Sequence, residues 1–151
     1  MDAIDQQIIA LLVEDARRSY GDIGRRIALS APAVKRRVDR LRERGVIEAF
    51  TAVLDPGALD YRTEALVELF FAPGTLLEEV TEQLVRHPAI VEAWSVAGDA
   101  DAVARVQTRD ARELEQLIME LQRHGNVVRT RSQIVMSRLV RRGASPAGSL
   151  P

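Results

Sequence analysis

The stretch that decides the fold is Ser30-Ala31-Pro32-Ala33-Val34-Lys35-Arg36-Arg37-Val38-Asp39-Arg40-Leu41-Arg42-Glu43-Arg44-Gly45. Val34, Val38 and Leu41 recur at i, i+4 and i+7, so they lie on one stripe of a helix. Ser30 is a suitable N-cap, Pro32 sits in the first turn where a missing N–H costs little, and Gly45 ends the helix. The solvent side then offers Ala31, Pro32, Ala33, Lys35, Arg36, Asp39 and Arg40. Residues 30–44 hold six basic side chains against two acidic ones. A basic helix face of this kind is either solvated surface or the footprint of a polyanion.

The residues upstream favour the polyanion. Ile4, Ile8, Leu11 and Leu12 form an apolar helical stripe over about 2–15. Ser19, with Asp22 three residues on, caps a short helix over about 20–27 that buries Ile23 and Ile27. Two short helices, the second rich in Arg, make a helix-turn-helix, and the first helix walls its small core. Downstream, residues 46–53 alternate like a strand and break at Asp55-Pro56-Gly57, which reads as a wing and the start of a linker.

Composition removes other classes. The chain has 151 residues, no Cys, two His and a net charge of -1. There is no thiol nucleophile, no disulfide and no Cys-held metal. His87 and His124 fall where helices end, and no P-loop, dinucleotide fingerprint or acid/base pair accompanies them. The residues therefore give no enzyme, and no metal site or cofactor is expected. No apolar run approaches the roughly 18 residues of a membrane span, and the N-terminus lacks a basic start. A cytoplasmic protein without a membrane partner is the expectation.

The second half has another rhythm. Residues 65–71 are strand-like. Thr75 with Glu78 caps a helix that turns Leu77, Val80 and Leu84 inward until His87-Pro88. Strands follow over 90–97 and 102–108, joined by Gly98-Asp99-Ala100-Asp101. Asp110 with Glu113 caps a helix carrying Leu114, Leu117, Ile118 and Leu121, and a long strand fills 127–140. The order βαββαβ predicts a ferredoxin-like unit. The fold class is thus α+β: a winged helix-turn-helix over 1–53, a linker over 54–62, the ferredoxin-like domain over 63–140 and a flexible tail over 141–151. Leu66, Phe70, Val96 and Val135 add more apolar strand surface than two helices cover.

Both halves resemble one family. The motifs Asp2-x-x-Asp5-x-x-Ile8-Ile9-x-x-Leu12, Arg18-Ser19-Tyr20 and Val34-x-x-Arg37-Val38-x-x-Leu41-x-x-x-Gly45-Val46-Ile47 resemble the DNA-binding half of the leucine-responsive regulatory protein/AsnC (Lrp/AsnC) family. Gly98-Asp99-Ala100-Asp101 and Arg129-Thr130-Arg131-Ser132 resemble its regulatory half. The likeness spans about residues 2–140. It departs at Ala100, where the family often carries an aromatic residue.

The resemblance implies a sequence-specific transcriptional regulator. It implies a homodimer through the regulatory sheets, often a tetramer or octamer, acting on double-stranded DNA. The expected DNA-binding residues are Ser30, Ala31, Pro32, Ala33, Lys35, Arg36, Arg37, Arg40, Arg25 and Arg26. Lys35 and Arg36 lie early enough to reach guanine edges, and the others suit phosphates or thymine methyls. For Arg37 an internal pair with Asp5 or Asp15 is a parallel reading. A free amino acid or related metabolite is the implied effector, with Gly98, Asp99, Asp101, Trp94 and Val96 as its residues. Hairpin geometry alone also explains Gly98 and Asp99, and core packing or a dimer seam explains Trp94. The rival function is a sensing or assembly module whose basic helix binds a protein.

Overall fold

Asp2 and Asp5 open the first helix by satisfying each other's backbone N–H groups (2.8 and 3.2 Å), a capping box built from two aspartates. The structure is a computed structural model and describes residues 1–140. The expected tail over 141–151 lies outside the described residues. Helix α1 spans Ala3–Glu14, α2 Tyr20–Ile27 and α3 Ala31–Glu43. Ser19 caps α2 and Ser30 caps α3 through their hydroxyls. Ile8, Leu12, Ile23, Val34, Val38 and Leu41 form one buried cluster, with Ile4, Leu11, Ile27 and Ile47 packed around it.

The turn between α2 and α3 depends on two small residues. Ala28 sits in the left-handed region at φ 55°, and Leu29 N–H returns to Gly24 O at 2.9 Å. A Cβ on Gly24 would stand 2.3 Å from Leu29 O, so only glycine allows this closure.

The wing does not form as a strand. Val46 and Ile47 spend their N–H groups on Leu41 O (2.9 and 3.2 Å), closing the C-terminus of α3 beyond Gly45 at φ 69°. Residues 48–55 have no ladder partner, and alternation alone makes no strand. The expected linker over 54–62 contains a 3-10 turn, Pro56–Leu59, capped by Asp55. The chain divides into two compact units, Met1–Val53 and Leu54–Leu139.

In the second unit β1 (Thr63–Phe71), β2 (Ile90–Ser95), β3 (Ala102–Thr108) and β4 (Val127–Ile134) form an antiparallel sheet ordered β2-β3-β1-β4. Helices α4 (Leu77–Val85) and α5 (Ala111–Arg123) complete the βαββαβ order. Ala65, Val67 and Leu69 of β1 and Ala102, Ala104 and Val106 of β3 pack on Val80, Leu84, Leu114, Leu117 and Leu121. Side chains alternate along a strand, so Leu66, Phe70 and Val103 belong to the face without helices. Gln83 ties the helices together, its Nε2 donating to Leu121 O at 2.8 Å.

Three local expectations change. Thr75 is not the cap of α4: its N–H closes a turn onto Ala72 O (3.1 Å), and Leu76 takes the cap position with no side-chain bond. Leu77, expected inward, is 50% exposed. The last strand stops at Ile134 rather than 140, because β1 begins at Thr63 and offers only Glu64 O to Val135 N–H (2.8 Å). Val96 and Val135 accordingly fall just beyond strand ends.

Gly24→Ala should destabilise the first unit by about 1–3 kcal/mol, because the backbone must shift to admit the methyl. Ala28→Gly should stabilise it by roughly 0.5–1 kcal/mol by relieving the left-handed alanine. Urea unfolding followed by helical circular dichroism reads both.

Candidate nucleic-acid interface and effector region

Helix α3 is the basic helix, and burial of Val34 (0%), Val38 (0%) and Leu41 (1%) fixes which way it faces. Pro32, Lys35, Arg36 and Arg40 are exposed, and Ala31 and Ala33 are half-buried beside them. Ser30 Oγ accepts Ala33 N–H at 3.4 Å, leaving the other first-turn amides without a side-chain cap. Lys35 Nζ meets Asp39 Oδ2 at 2.6 Å, and that hydrogen bond raises the lysine pKa above its ordinary value. Arg36 and Arg40 form no ion pair among the described residues.

Arg37 is the correction. Its Nη1 lies 2.7 Å from Asp2 Oδ2 and 2.7 Å from Asp5 Oδ1. The side chain is therefore turned onto α1 and locks the basic helix to the first helix rather than reaching outward. Asp5 is the partner that the sequence offered; Asp15 instead accepts Arg17 N–H (2.9 Å). Asp2 was not foreseen, although the Asp2/Asp5 spacing marks both as the first turn of α1.

Asp22 gathers three further arginines. Asp22 pairs with Arg18 (3.0 Å), Arg25 (3.2 Å) and Arg26 (3.2 Å). Arg18 also reaches Glu14 (2.9 Å) and is the buried member, joining the end of α1 to α2. The hydrogen bond from Arg18, ahead of that from Arg26, holds the Asp22 carboxyl below its ordinary value against the push of burial. Arg25 and Arg26 remain mostly exposed. Exposed pairs contribute little, about 0–1 kcal/mol, so a phosphate can replace Asp22 or Asp39 at small cost. Sequence reasoning missed Asp22 as a hub, although its i+4 distance from Arg18 and from Arg26 makes the cluster readable.

In the second unit the turn Gly98–Asp101 joins β2 to β3. Asp101 Oδ2 accepts Phe71 N–H (2.8 Å), and Asp101 N–H donates to Leu69 O (3.1 Å). The carboxylate thus clamps the end of β1. Gly98 is not in the left-handed region, and a Cβ there would meet nothing within 4 Å, so this turn does not require glycine. Asp99 is exposed, 3.9 Å from Arg131. Trp94 is 47% exposed rather than core, and Val96 is 37% exposed. Ala100, at the position where the family often carries an aromatic residue, is buried.

The helix-free face of the sheet is laced by charge pairs. Glu68 binds Arg131 and Gln133, Arg105 lies between Glu92 (3.0 Å) and Glu64 (3.8 Å), and the Arg129 guanidinium lies 3.6 Å from the Phe70 ring centre. No group of residues that could hold a metal ion occurs among the described residues. No helix there is long and apolar enough to cross a membrane.

A helix-turn-helix with an outward basic second helix, followed by a split βαβ domain, defines a DNA-binding regulator of two modules. Residues 1–42 match the AsnC-type helix-turn-helix domain, and residues 64–145 match the Lrp/AsnC ligand binding domain. The chain belongs to the Lrp/AsnC family of transcriptional regulators, which are not enzymes. It is 40% identical over 142 residues to the HTH-type transcriptional regulator Rv2324 of Mycobacterium tuberculosis, covering 94% of this chain and 96% of that one. The crystal structure of the leucine response regulatory protein LrpA of M. tuberculosis is similar, with a TM-score of 0.87 at 30% identity, over 97% of this chain and 100% of that one. A regulator from Neisseria meningitidis, solved in complex with L-Met, shares the fold at TM-score 0.85 and 22% identity, over 100% of this chain and 96% of that one.

The Arg37 triad carries a pH signature. For Asp2, the Asp5 backbone bond and then Arg37 lower the carboxyl below the ordinary value of 3.8. For Asp5, burial pushes up, but the Arg37 and Asp2 bonds outweigh it and the net shift is also down. Depressed carboxylates contribute stability above their unfolded value and lose it as pH falls through the folded one. The first unit should therefore weaken progressively below the ordinary value of 3.8. Arg37→Met should lower the urea midpoint at neutral pH and flatten its acid slope, read by circular dichroism across a pH series.

Proposed function

We propose that α3 enters the major groove with Lys35 and Arg36 on base edges. Arg and Lys pair with guanine O6 and N7, and half-buried Ala31 and Ala33 beside Pro32 suit a thymine methyl. Ser30 and the open amides of the first turn face a phosphate, and Arg25, Arg26 and Arg40 contact the backbone. Arg37 holds the helix in place and is left out of the contacts. The observation that carries this reading is that Arg36 and Arg40 are exposed and, among the described residues, have no ion-pair partner, on a helix whose opposite side is fully buried.

One such helix makes too few base contacts for an operator. A homodimer presenting two helices to half-sites roughly 10 bp apart supplies the rest. The helix-free sheet face, with half-buried Leu66 and Val103, supports pairing of two copies, and assembly to a tetramer or octamer follows the family pattern. The effector is a free amino acid or related metabolite, in keeping with the ligand binding domain matched over 64–145 and with the L-Met complex of the Neisseria protein. Its candidate residues lie along the end of the β2–β3 hairpin: Trp94, Val96, Gly98, Asp99 and Asp101. The protein acts where DNA is, in the cytoplasm.

Joint Lys35→Ala and Arg36→Ala should abolish the footprint on the DNA upstream of the protein's own gene and leave the sedimentation coefficient unaltered. An unchanged footprint would refute α3 as the reading helix. Binding by the native protein should weaken by orders of magnitude between 50 and 200 mM salt. A flat salt response would assign the basic face to a protein partner.

A further inference from the structure

Between Ala31 and Arg42, helix α3 carries five basic side chains and one acidic one, Asp39. At 3.6 residues per turn, Asp39 falls one turn beyond Lys35 and, around the circumference, between Lys35 and Arg36. It lies at least about a quarter-turn from buried Val34, Val38 and Leu41, so it belongs to the wet face. The other acid of the helix, Glu43, stands in the last turn, beyond the N-terminal turns that reach base edges. Asp22, the acid of α2, is taken up by Arg18, Arg25 and Arg26.

Neither stability nor affinity explains an aspartate at this place. Asp is a weak helix former, and Lys before Asp is the less favourable order for an i, i+4 pair. The pair is exposed, so it contributes little to the fold. Toward a polyanion the carboxylate is repulsive, and that repulsion lowers affinity for every sequence alike. A base that donates to the carboxylate offsets the repulsion, and a base that cannot leaves it in full. The difference between the two is selectivity.

The atoms of the pair match one base-pair edge. Lys35 Nζ donates to Asp39 Oδ2 at 2.6 Å, which leaves the ammonium two further N–H donors. Asp39 Oδ1 accepts no hydrogen bond among the described residues. A donor and an acceptor thus stand side by side. In the major groove a G·C pair sets the acceptors guanine O6 and N7 beside a donor, the cytosine N4 amine. The ammonium fits the guanine, and the open carboxylate oxygen fits the amine. With the strands exchanged, guanine O6 faces the carboxylate and both acceptors lose a partner. Thymine in that place presents O4, with the same result.

We propose that Asp39 is a specificity-determining residue of α3. It accepts the N4 amine of the cytosine whose guanine Lys35 reads, and it excludes guanine and thymine from the cytosine strand. This rests on the entry of α3 into the major groove and assigns the base pair that Lys35 and Asp39 select together.

The test is a binding selection at about 50 mM salt, where phosphate contacts are strong enough to retain weakened variants. A duplex library randomised over the footprint upstream of the protein's own gene is bound by full-length native protein, Asp39→Ala, Asp39→Asn and Lys35→Ala, and the bound duplexes are sequenced. Thermal melts establish that the variants fold. The native protein should favour G·C over C·G at one position of each half-site by about tenfold or more. Asp39→Ala should bring the two orders within about twofold, because the freed lysine donates to guanine on either strand. The same variant should bind unrelated duplex several-fold more tightly. Asp39→Asn, with a donor beside its acceptor, should admit guanine or thymine on the cytosine strand. Lys35→Ala should still favour cytosine or adenine there, because both carry an exocyclic amine.

A uniform gain in affinity by Asp39→Ala, with every base preference intact, would make Asp39 a solvated charge and overturn the proposal while sparing α3 as the reading helix. Loss of all preference at the position in Lys35→Ala, matched by Asp39→Ala, would reduce Asp39 to a support for the lysine, and the proposal fails. An affected position that selects a pair other than G·C would overturn the assigned base. Selections and affinities identical for all four proteins would sink both this proposal and the major-groove reading of α3.

Discussion

The orientation of α3 follows from the burial of three side chains. Val34, Val38 and Leu41 sit against Ile8, Leu12 and Ile23, all but out of reach of water. Each such side chain contributes about 1.5–3 kcal/mol, whereas an exposed ion pair contributes about 0–1 kcal/mol. The apolar stripe therefore decides which face of the helix is wet, and the charges on that face are passengers of the packing. Exposure of Lys35, Arg36 and Arg40 is a consequence of what lies on the other side.

The carboxylates then divide the arginines into two kinds. Asp2 and Asp5 hold Arg37 and, through it, tie the start of α1 to the middle of α3. Asp22 holds Arg18 between two helices but only tethers Arg25 and Arg26, which stay exposed. The buried partners are structural, because leaving Asp5 without its cation would strand a charge in a small core. The exposed ones are exchangeable, because phosphate offers them the same interaction.

In the second unit one face of a four-stranded sheet carries both helices, and the other carries paired charges interleaved with Leu66, Phe70 and Val103. Arg129 covers Phe70, and Arg105 sits between Glu92 and Glu64, so charge caps the apolar side chains of that face. At one edge, β2 and α4 leave an apolar cleft. At the hairpin end, Asp101 spans the 30 residues to Phe71 to hold the strand terminus. Charge-laced face, edge cleft and Asp101 clamp are thus separate parts of one small sheet.

Most of the fold was legible in the chain. Serine caps, glycine stops and 3.6-residue spacing placed α1, α2, α3 and α5 within a residue or two, and β3 was read to its ends, because these signals are local. Local signals also misled. The alternation over 46–53 asked for a strand, but a ladder needs a neighbour, and Val46 and Ile47 were already bound to Leu41 O. Thr75 has the right chemistry for a cap and spends its N–H on a turn. The final strand ends where β1 begins, a limit set by a segment some 70 residues away. The sequence by itself determined the helix-turn-helix, the βαββαβ order and the basic face. Only the tertiary structure decided that Arg37 points inward, that Asp101 clamps Phe71 and that Trp94 stands half-exposed on the sheet. These depend on which distant atoms share a site, and no periodicity along one chain encodes that.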